Sequence, residues 1–178
     1  IAKGPYLLAV GRLERLKGFQ YAIEALAMVR ARNPDLRLLI AGSDNGEEAG
    51  LRERADRLGL AARVSFLGAV ARDQLAHLYA GAECIVVSSE YESFSLVTLE
   101  AMSCGTPVVA SAVGGILDIV REGENGLLFT CGDVTAMAER IERVLEPGVR
   151  ERLAAGGRAT VDRYTWDAVA AQYEDQYT

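Results

Sequence analysis

Six short segments of this chain are apolar along nearly their whole length rather than at alternate positions, and segments with a helical pattern separate them. A strand with apolar side chains on both faces is buried on both, which is typical of a parallel sheet covered by helices. The pattern predicts an α/β fold with a doubly wound, six-stranded parallel sheet. The predicted strands are YLLAV (6–10), LRLLIAG (36–42), VSFLG (64–68), CIVVSS (84–89), PVVAS (107–111) and GLLF (126–129).

Helical spacing of apolar residues, together with glycine and proline at segment ends, places helices between and after these strands. Gly156 and Gly157 lie inside the penultimate helix and predict a weak point or a kink there. Trp166 is expected to pack the last helix. The predicted helices run from Gly18 to the Asn33-Pro34 stop, from the SDNGEE loop to about Leu58, from Asp73 to about Gly81, from the ESFS loop to the Gly-Thr-Pro turn, and over 134–145, 149–164 and 166–177.

Composition limits the function classes. A length of 178 residues, half of them hydrophobic, fits one domain, 1–178, with a sizeable core. No segment approaches the ~20 apolar residues of a membrane helix, so no transmembrane segment is expected. The net charge is −6 without a long basic tract, which argues against a nucleic acid partner. Since the first residue is Ile1 rather than Met, we expect an excised domain or a processed product.

The cysteines indicate the redox compartment. Cys84, Cys104 and Cys131 are odd in number and lie 20 and 27 positions apart, which is neither a disulfide framework nor a zinc-binding spacing. They predict a reduced, cytoplasmic protein.

Ligands of such sheets bind at the carboxyl ends of the strands, where loops lead into helices. That rule selects four loops in this chain, at 11–18, 42–48, 88–95 and 111–115. In the first loop, GRLERLKG, Arg12 and Lys17 stand beside two glycines just before a helix, so two cations and the helix N-terminus could bind one anion such as a diphosphate. The alternative is a pair of solvated charges on a surface turn.

The third loop carries the stretch ESFSLVTLE, in which Glu92 and Glu100 stand eight positions apart. On a helical wheel Glu100 falls about 40° from Leu96, within an apolar face. Because an unpaired buried charge costs several kcal/mol, Glu100 should have a partner, either protein or ligand. A frayed surface helix or a buried structural hydrogen bond is the alternative.

Nucleotide motifs of other classes are missing. Gly11-Arg12-Leu13 departs from the dinucleotide fingerprint G-x-G-x-x-G, and no G-x-x-x-x-G-K-S/T loop occurs. A simple dehydrogenase or a nucleoside triphosphatase is therefore disfavoured.

Several motifs in order, GRLERLKG, ESFSLVTLEAMSCGTPVVAS, SAVGGILDIV and ENGLLF, resemble the donor-binding C-terminal domain of the retaining GT-B glycosyltransferases of family four. The resemblance covers roughly 6–145 and implies a Rossmann-like fold that binds a nucleotide-sugar. It also implies an N-terminal acceptor-binding domain, which we do not expect within these 178 residues; peripheral membrane contact through that domain is left open. The isolated domain is accordingly expected to have little or no transferase activity.

The resemblance implies the site residues position by position. Arg12 and Lys17 hold the donor diphosphate, and with Glu92 they form the catalytic set. Backbone amides at the helix start, at Leu96 and Val97, meet the phosphate. The donor sugar is placed against Glu92, Phe94 and Ser95.

The remaining roles concern the nucleoside. Glu100 accepts hydrogen bonds from the ribose hydroxyls, which supplies the missing partner, because a ribose diol can donate two bonds to one carboxylate. The nucleobase is placed near Phe66, Gly68 and Val70. The family commonly has glycine where this chain has Ser93 and Ser95, and the serines add hydroxyls that could bond the donor.

The implied reaction needs no cofactor, and its substrate is a UDP-, GDP- or ADP-sugar. Because no Asp-x-Asp pair is present for a divalent ion, we predict metal independence. Retention would follow front-face substitution, with Glu92 positioning the donor. Alternatives are a stand-alone nucleotide-binding module, or half of a nucleotide-sugar epimerase or a glycan phosphorylase.

Overall fold

The computed structural model describes residues 4–165, and within them six strands form one parallel sheet. The strand order is β3-β2-β1-β4-β5-β6, so the predicted doubly wound, six-stranded sheet is confirmed. All six predicted segments form strands, each within its predicted bounds. The strands are β1 (Tyr6–Val10), β2 (Arg37–Ala41), β3 (Val64–Phe66), β4 (Cys84–Val87), β5 (Val108–Ser111) and β6 (Leu127–Phe129).

Seven α-helices connect or follow the strands in residues 4–165. The short helix α5 and a 3-10 turn at Arg15–Lys17 were not predicted, since segments of three or four residues carry too little periodicity. The predicted helix over 166–177, with Trp166, lies outside the described residues. The helices are α1 (Phe19–Val29), α2 (Glu48–Arg57), α3 (Arg72–Gly81), α4 (Leu96–Ser103), α5 (Ile116–Ile119), α6 (Val134–Val144) and α7 (Val149–Val161).

The sheet has a hydrophobic core on each face. In β1, Leu7 packs into one core and its neighbour Leu8 into the other, and both are fully buried. Leu38 and Leu39 of β2 divide in the same way. Helices α1, α2 and α6 contribute to the first core, and α3, α4 and α5 to the second. Burial on both faces explains why these strands lack polar alternation.

Helix α7 runs without interruption through Gly156 and Gly157, so the expected weak point does not break the helix. A Cβ at Gly156 would lie 2.1 Å from the carbonyl oxygen of Glu124, and one at Gly157 would lie 3.0 Å from the Met102 side chain. The glycine pair therefore lets α7 pack closely against α4 and the loop before β6.

The topology also fixes where the loops meet. Strand order reverses between β1 and β4, which pair directly at Leu7 with Cys84 and at Leu8 with Ile85. Ligands of open α/β sheets bind at such a reversal. The loops after these two strands, 11–18 and 88–95, are the two that carry the charged motifs.

Within 4–165, no helix combines the length and the apolarity needed to cross a membrane.

Candidate functional site

The loops that follow β1 and β4 are joined by direct contacts. The amide of Glu90 donates to the carbonyl of Leu16 at 2.8 Å, and the Ser88 hydroxyl donates to the carbonyl of Lys17 at 3.0 Å. Gly18 has a φ of 65°, and a Cβ there would lie 2.1 Å from the carbonyl oxygen of Ser88. Only glycine combines this backbone conformation with so close an approach.

This contact brings Lys17 to Glu92. The Lys17 ammonium lies 2.6 Å from Oε1 of Glu92, although 75 positions separate them in the chain. The Ser89 hydroxyl donates to the same oxygen at 2.9 Å. The side chains of Lys17 and Glu92 are only 23% and 14% exposed, so this ion pair is better shielded from water than a surface pair. One oxygen of Glu92 is thus held by two protein donors.

The fourth predicted loop supports Glu92 from the other side. The amide of Gly115 donates to the carbonyl of Glu92 at 2.8 Å. A Cβ at Gly114 would lie 2.1 Å from the same carbonyl oxygen. The Ser111 hydroxyl donates to the carbonyl of Ser89 at 2.6 Å. Glu92 and Ser89, which donates to it, are therefore both anchored through their backbone carbonyls.

Arg12 occupies a different environment from Lys17. Its side chain is 69% exposed, and its partner is Glu14, with 3.4 Å between Nη2 and Oε1. Exposed ion pairs of this kind contribute little stability. Of the two predicted cations, Arg12 is thus the exposed and weakly held one.

The N-terminus of α4 lies directly after this loop. Ser95 is its N-cap residue and is buried, but its side chain makes no capping bond to the helix; instead it accepts a hydrogen bond from the Thr98 hydroxyl at 2.8 Å. The first amides of a helix, here those of Leu96 and Val97, have no acceptor within the helix. They form the kind of positive backbone end that binds anions.

Phe94 projects from the loop and is 45% exposed. Its ring lies 6.0 Å from that of Tyr164, centroid to centroid. The predicted sugar-binding residue thus packs partly against Tyr164, in the 3-10 turn that follows α7.

Glu100 has a protein partner, which the sequence left undetermined. The Tyr79 hydroxyl donates to Oε2 of Glu100 at 3.0 Å. Burial raises the pKa of Tyr79 far above its usual value, and the Glu100 charge raises it further. Glu100 and Tyr79 line a groove between α3 and α4 of about 140 Å³, which is also lined by Arg72, Leu75, Ala76, Ser103 and Cys104.

Sequence reasoning did not identify Ser89 and Tyr79 as site residues. Ser89 stands at the end of an apolar strand, three positions before Glu92, and resembles any polar residue that closes a strand. Tyr79 lies on the buried face of α3, where an aromatic residue is usually predicted to be part of the hydrophobic core. Its only signal was the phenol oxygen, which needs a partner when it is buried.

The predicted nucleobase residues lie at the end of β3 and just after it. Phe66 carries the Arg52 guanidinium over its ring at 4.5 Å from the centroid. The carbonyl of Gly68 accepts from the amide of Gly42 at 2.8 Å, which joins this loop to the second predicted loop. Val70 is partly buried. The structure therefore puts these residues at the same sheet edge as the other loops.

The three cysteines, all of them in the described part of the chain, are free thiols. Burial raises the pKa of Cys84 to about 12, and burial followed by the nearby Glu90 charge raises the pKa of Cys131. Raised values favour the unreactive thiol form of both residues. Among residues 4–165 there is also no group of three or more His, Cys, Asp or Glu side chains that could hold a metal ion. Metal independence itself stays a prediction.

Comparison with known proteins places this chain in a family. Residues 1–160 match the family Glycosyl transferases group 1. The D-inositol 3-phosphate glycosyltransferase of Acidothermus cellulolyticus is 41% identical over 172 residues, which cover 92% of this chain and 38% of that protein.

Solved structures give the same result. Sucrose-phosphate synthase from Thermosynechococcus elongatus superposes with a TM-score of 0.86 at 39% identity, over 97% of this chain and 44% of that one. Anabaena HepE in complex with UDP-glucose superposes with a TM-score of 0.84 at 31% identity, over 95% and 46% of the two chains.

The chain thus spans less than half the length of each of these proteins. With this sequence match and this sheet, the chain belongs to the glycosyl transferases group 1 family and has the fold of the C-terminal domain of a GT-B glycosyltransferase.

Proposed function

We propose that this chain binds the nucleoside diphosphate sugar donor of a retaining, metal-independent glycosyltransferase that transfers a hexose-like sugar to an acceptor. The observation that carries the proposal is the shielded Lys17–Glu92 pair, which lies where the strand order reverses and next to the N-terminus of α4. Membership of a glycosyltransferase family favours this function over an epimerase or a phosphorylase. The complex of HepE with UDP-glucose supports a nucleotide-sugar as the ligand.

The diphosphate would bind between Lys17 and the first amides of α4, at Leu96 and Val97. A cation and a helix N-terminus provide complementary charge for such a group. Arg12, being exposed and weakly paired, is free to turn toward the phosphates. When the nucleoside diphosphate departs, negative charge grows on the leaving phosphate, and these groups would stabilise it.

Glu92 would position the transferred sugar, together with Phe94 and Ser95. Its Oε1 already accepts from Lys17 and Ser89, which leaves Oε2 to accept from a sugar hydroxyl. A carboxylate fixed in this way is suited to orienting a donor for front-face substitution rather than to attacking it. This supports a retaining reaction without a covalent glycosyl-enzyme.

The nucleoside would extend from α4 toward the loop after β3. Glu100 would accept the ribose hydroxyls, and the base would lie near Phe66, Gly68 and Val70.

Transfer also needs an acceptor site. We place it in a second domain, because the relatives are more than twice as long as the aligned region, and we expect little transfer by this chain alone. The three free cysteines favour a cytoplasmic location for the protein.

A ligand screen tests the proposed function. We would add UDP, GDP or ADP, or their sugar conjugates, to the protein. The nucleotides of one base should raise the melting temperature of the protein, since a ligand that binds only the folded state stabilises it. Thermal shift measurements at several ligand concentrations would show this. A melting temperature unchanged by all three bases at millimolar concentration would contradict the proposal.

Glu100→Ala tests the ribose assignment. The variant should bind the preferred ribonucleoside diphosphate about tenfold more weakly, because charge-assisted hydrogen bonds contribute ~1.5 to 3 kcal/mol. Its affinity for the 2′,3′-dideoxy analogue should change little. Calorimetry gives both affinities, and Glu53→Ala, which removes an exposed carboxylate from α2, is the control. Equal losses for both nucleotides would contradict the assignment.

A further inference from the structure

We propose that Tyr79 is a positioning residue that fixes the Glu100 carboxylate for recognition of a ribose diol, so that this hydrogen bond contributes to selection of ribonucleotides over deoxynucleotides. The inference rests on the proposed function, since it concerns how the same site recognises its nucleoside.

The geometry of the carboxylate supports this role. Tyr79 donates to Oε2 of Glu100 at 3.0 Å, and no other side-chain donor is seen on this carboxylate in the described part of the chain. The carboxylate borders the groove between α3 and α4, so it also remains accessible to a ligand. A single donor leaves most of the acceptor capacity of the carboxylate free, because each oxygen carries two lone pairs.

The phenol itself is rigidly placed. Tyr79 is 2% exposed and packs in the core on the α3 and α4 side of the sheet. Its backbone carbonyl accepts from the buried Thr106 hydroxyl at 2.6 Å. The neighbouring carbonyl of Leu78 accepts from the Tyr6 hydroxyl at 2.8 Å. The last turn of α3 is therefore held from two directions, and the hydroxyl is aimed before any ligand arrives.

The charge of Glu100 also keeps the Tyr79 hydroxyl directed at the carboxylate. Because burial and the Glu100 charge both raise the pKa of Tyr79, its hydroxyl stays protonated and can only donate toward the carboxylate. A carboxylate held in this way loses less rotational freedom when it accepts a diol, which favours binding. A nucleotide without the diol gains nothing from the arrangement.

Tyr79→Phe tests the inference with the smallest change, because the ring is kept. Affinities for UDP, GDP and ADP and for their 2′,3′-dideoxy analogues would be measured by calorimetry. We expect affinity for the preferred ribonucleotide to fall about fivefold and affinity for its dideoxy analogue by less than twofold. Tyr6→Phe is the matched control, since it also removes a buried hydroxyl that bonds α3, and it should leave the ratio of the two affinities unchanged.

A double mutant separates positioning from packing. If Tyr79 acts through Glu100, then Tyr79→Phe in a Glu100→Ala background should cause no further loss of ribonucleotide affinity. Additive losses would overturn the inference, and so would an unchanged ratio in Tyr79→Phe. Tyr79→Phe keeps the buried ring and is therefore expected to fold, and its melting temperature is measured beside the affinities.

The outcomes also distinguish this inference from the proposed function. Loss of ribose selectivity in Glu100→Ala but not in Tyr79→Phe would overturn the role of Tyr79 alone. Selectivity unchanged in Glu100→Ala would overturn the ribose site itself, and Tyr79 with it.

Discussion

Gly18→Ala is expected to lower the free energy of unfolding by about 3 kcal/mol and to abolish measurable nucleotide binding. The backbone φ of 65° is unfavourable for alanine by roughly 1 to 2 kcal/mol. In addition, the new Cβ would lie 2.1 Å from the carbonyl oxygen of Ser88 and 3.0 Å from the Tyr21 ring. Relief requires the loops at 11–18 and 88–95 to separate, and this would move Lys17 away from Glu92. Chemical denaturation and calorimetry with nucleoside diphosphates measure the two effects.

Gly148→Ala provides a matched control for the backbone term. Gly148 is also a left-handed N-cap residue, with a φ of 79°, but a Cβ there would have no heavy atom within 4 Å. We expect a loss of about 1 kcal/mol and no change in nucleotide affinity. Similar losses of stability and binding in the two variants would show that close packing against Ser88 is not what requires glycine at position 18.

Lys17→Ala is expected to weaken nucleoside diphosphate binding about tenfold or more, since hydrogen bonds to charged groups contribute ~1.5 to 3 kcal/mol and 1.4 kcal/mol is a factor of ten. The variant loses a contact to the diphosphate. It also leaves the largely buried Glu92 with Ser89 as its only side-chain donor among the described residues, so the carboxylate becomes less well fixed. Calorimetry at constant ionic strength measures the affinity.

Arg15→Ala is the control for Lys17→Ala, because it removes the same charge from the same loop at an exposed position. Its effect should be small and should diminish at higher salt, as expected for a screened charge. Unchanged affinity in Lys17→Ala would argue against the diphosphate role. So would equal losses in the two variants, which would indicate a general effect of loop charge.

Much of the fold was predictable, because it follows from the pattern of apolar residues within short segments of the chain. Strands such as β1, with Leu7 and Leu8 directed to opposite faces, must be buried on both, and only helices on both sides provide that burial. The close approach at Gly156 and Gly157 was not predictable, since it depends on α4 and on the loop before β6. From the sequence, the glycine pair was therefore interpreted as a weak point, whereas in the structure it allows the helices to pack closely.

The candidate site was predictable in part. Lys17 was identified because it stands beside glycine just before a helix, where an anion can bind, and Glu100 because a charge on an apolar helix face calls for a partner. The role of Glu92 was implied by the resemblance to the family. Ser89 and Tyr79 were not identified, because a serine at a strand end and a tyrosine in a core are ordinary residues until their neighbours are known. Arg12 and Lys17, which looked equivalent in the loop motif, differ strongly in exposure.

The sequence by itself determined the kind of sheet and the end of the strands at which the charged loop residues lie, since these follow from hydrophobic patterning and from chain direction. Only the tertiary structure decided which side chains meet. The order β3-β2-β1-β4-β5-β6 brings together Lys17 and Glu92, 75 positions apart, and packing of α3 against α4 joins Tyr79 to Glu100, 21 positions apart. Such contacts depend on how helices pack over a twisted sheet, which no local segment encodes.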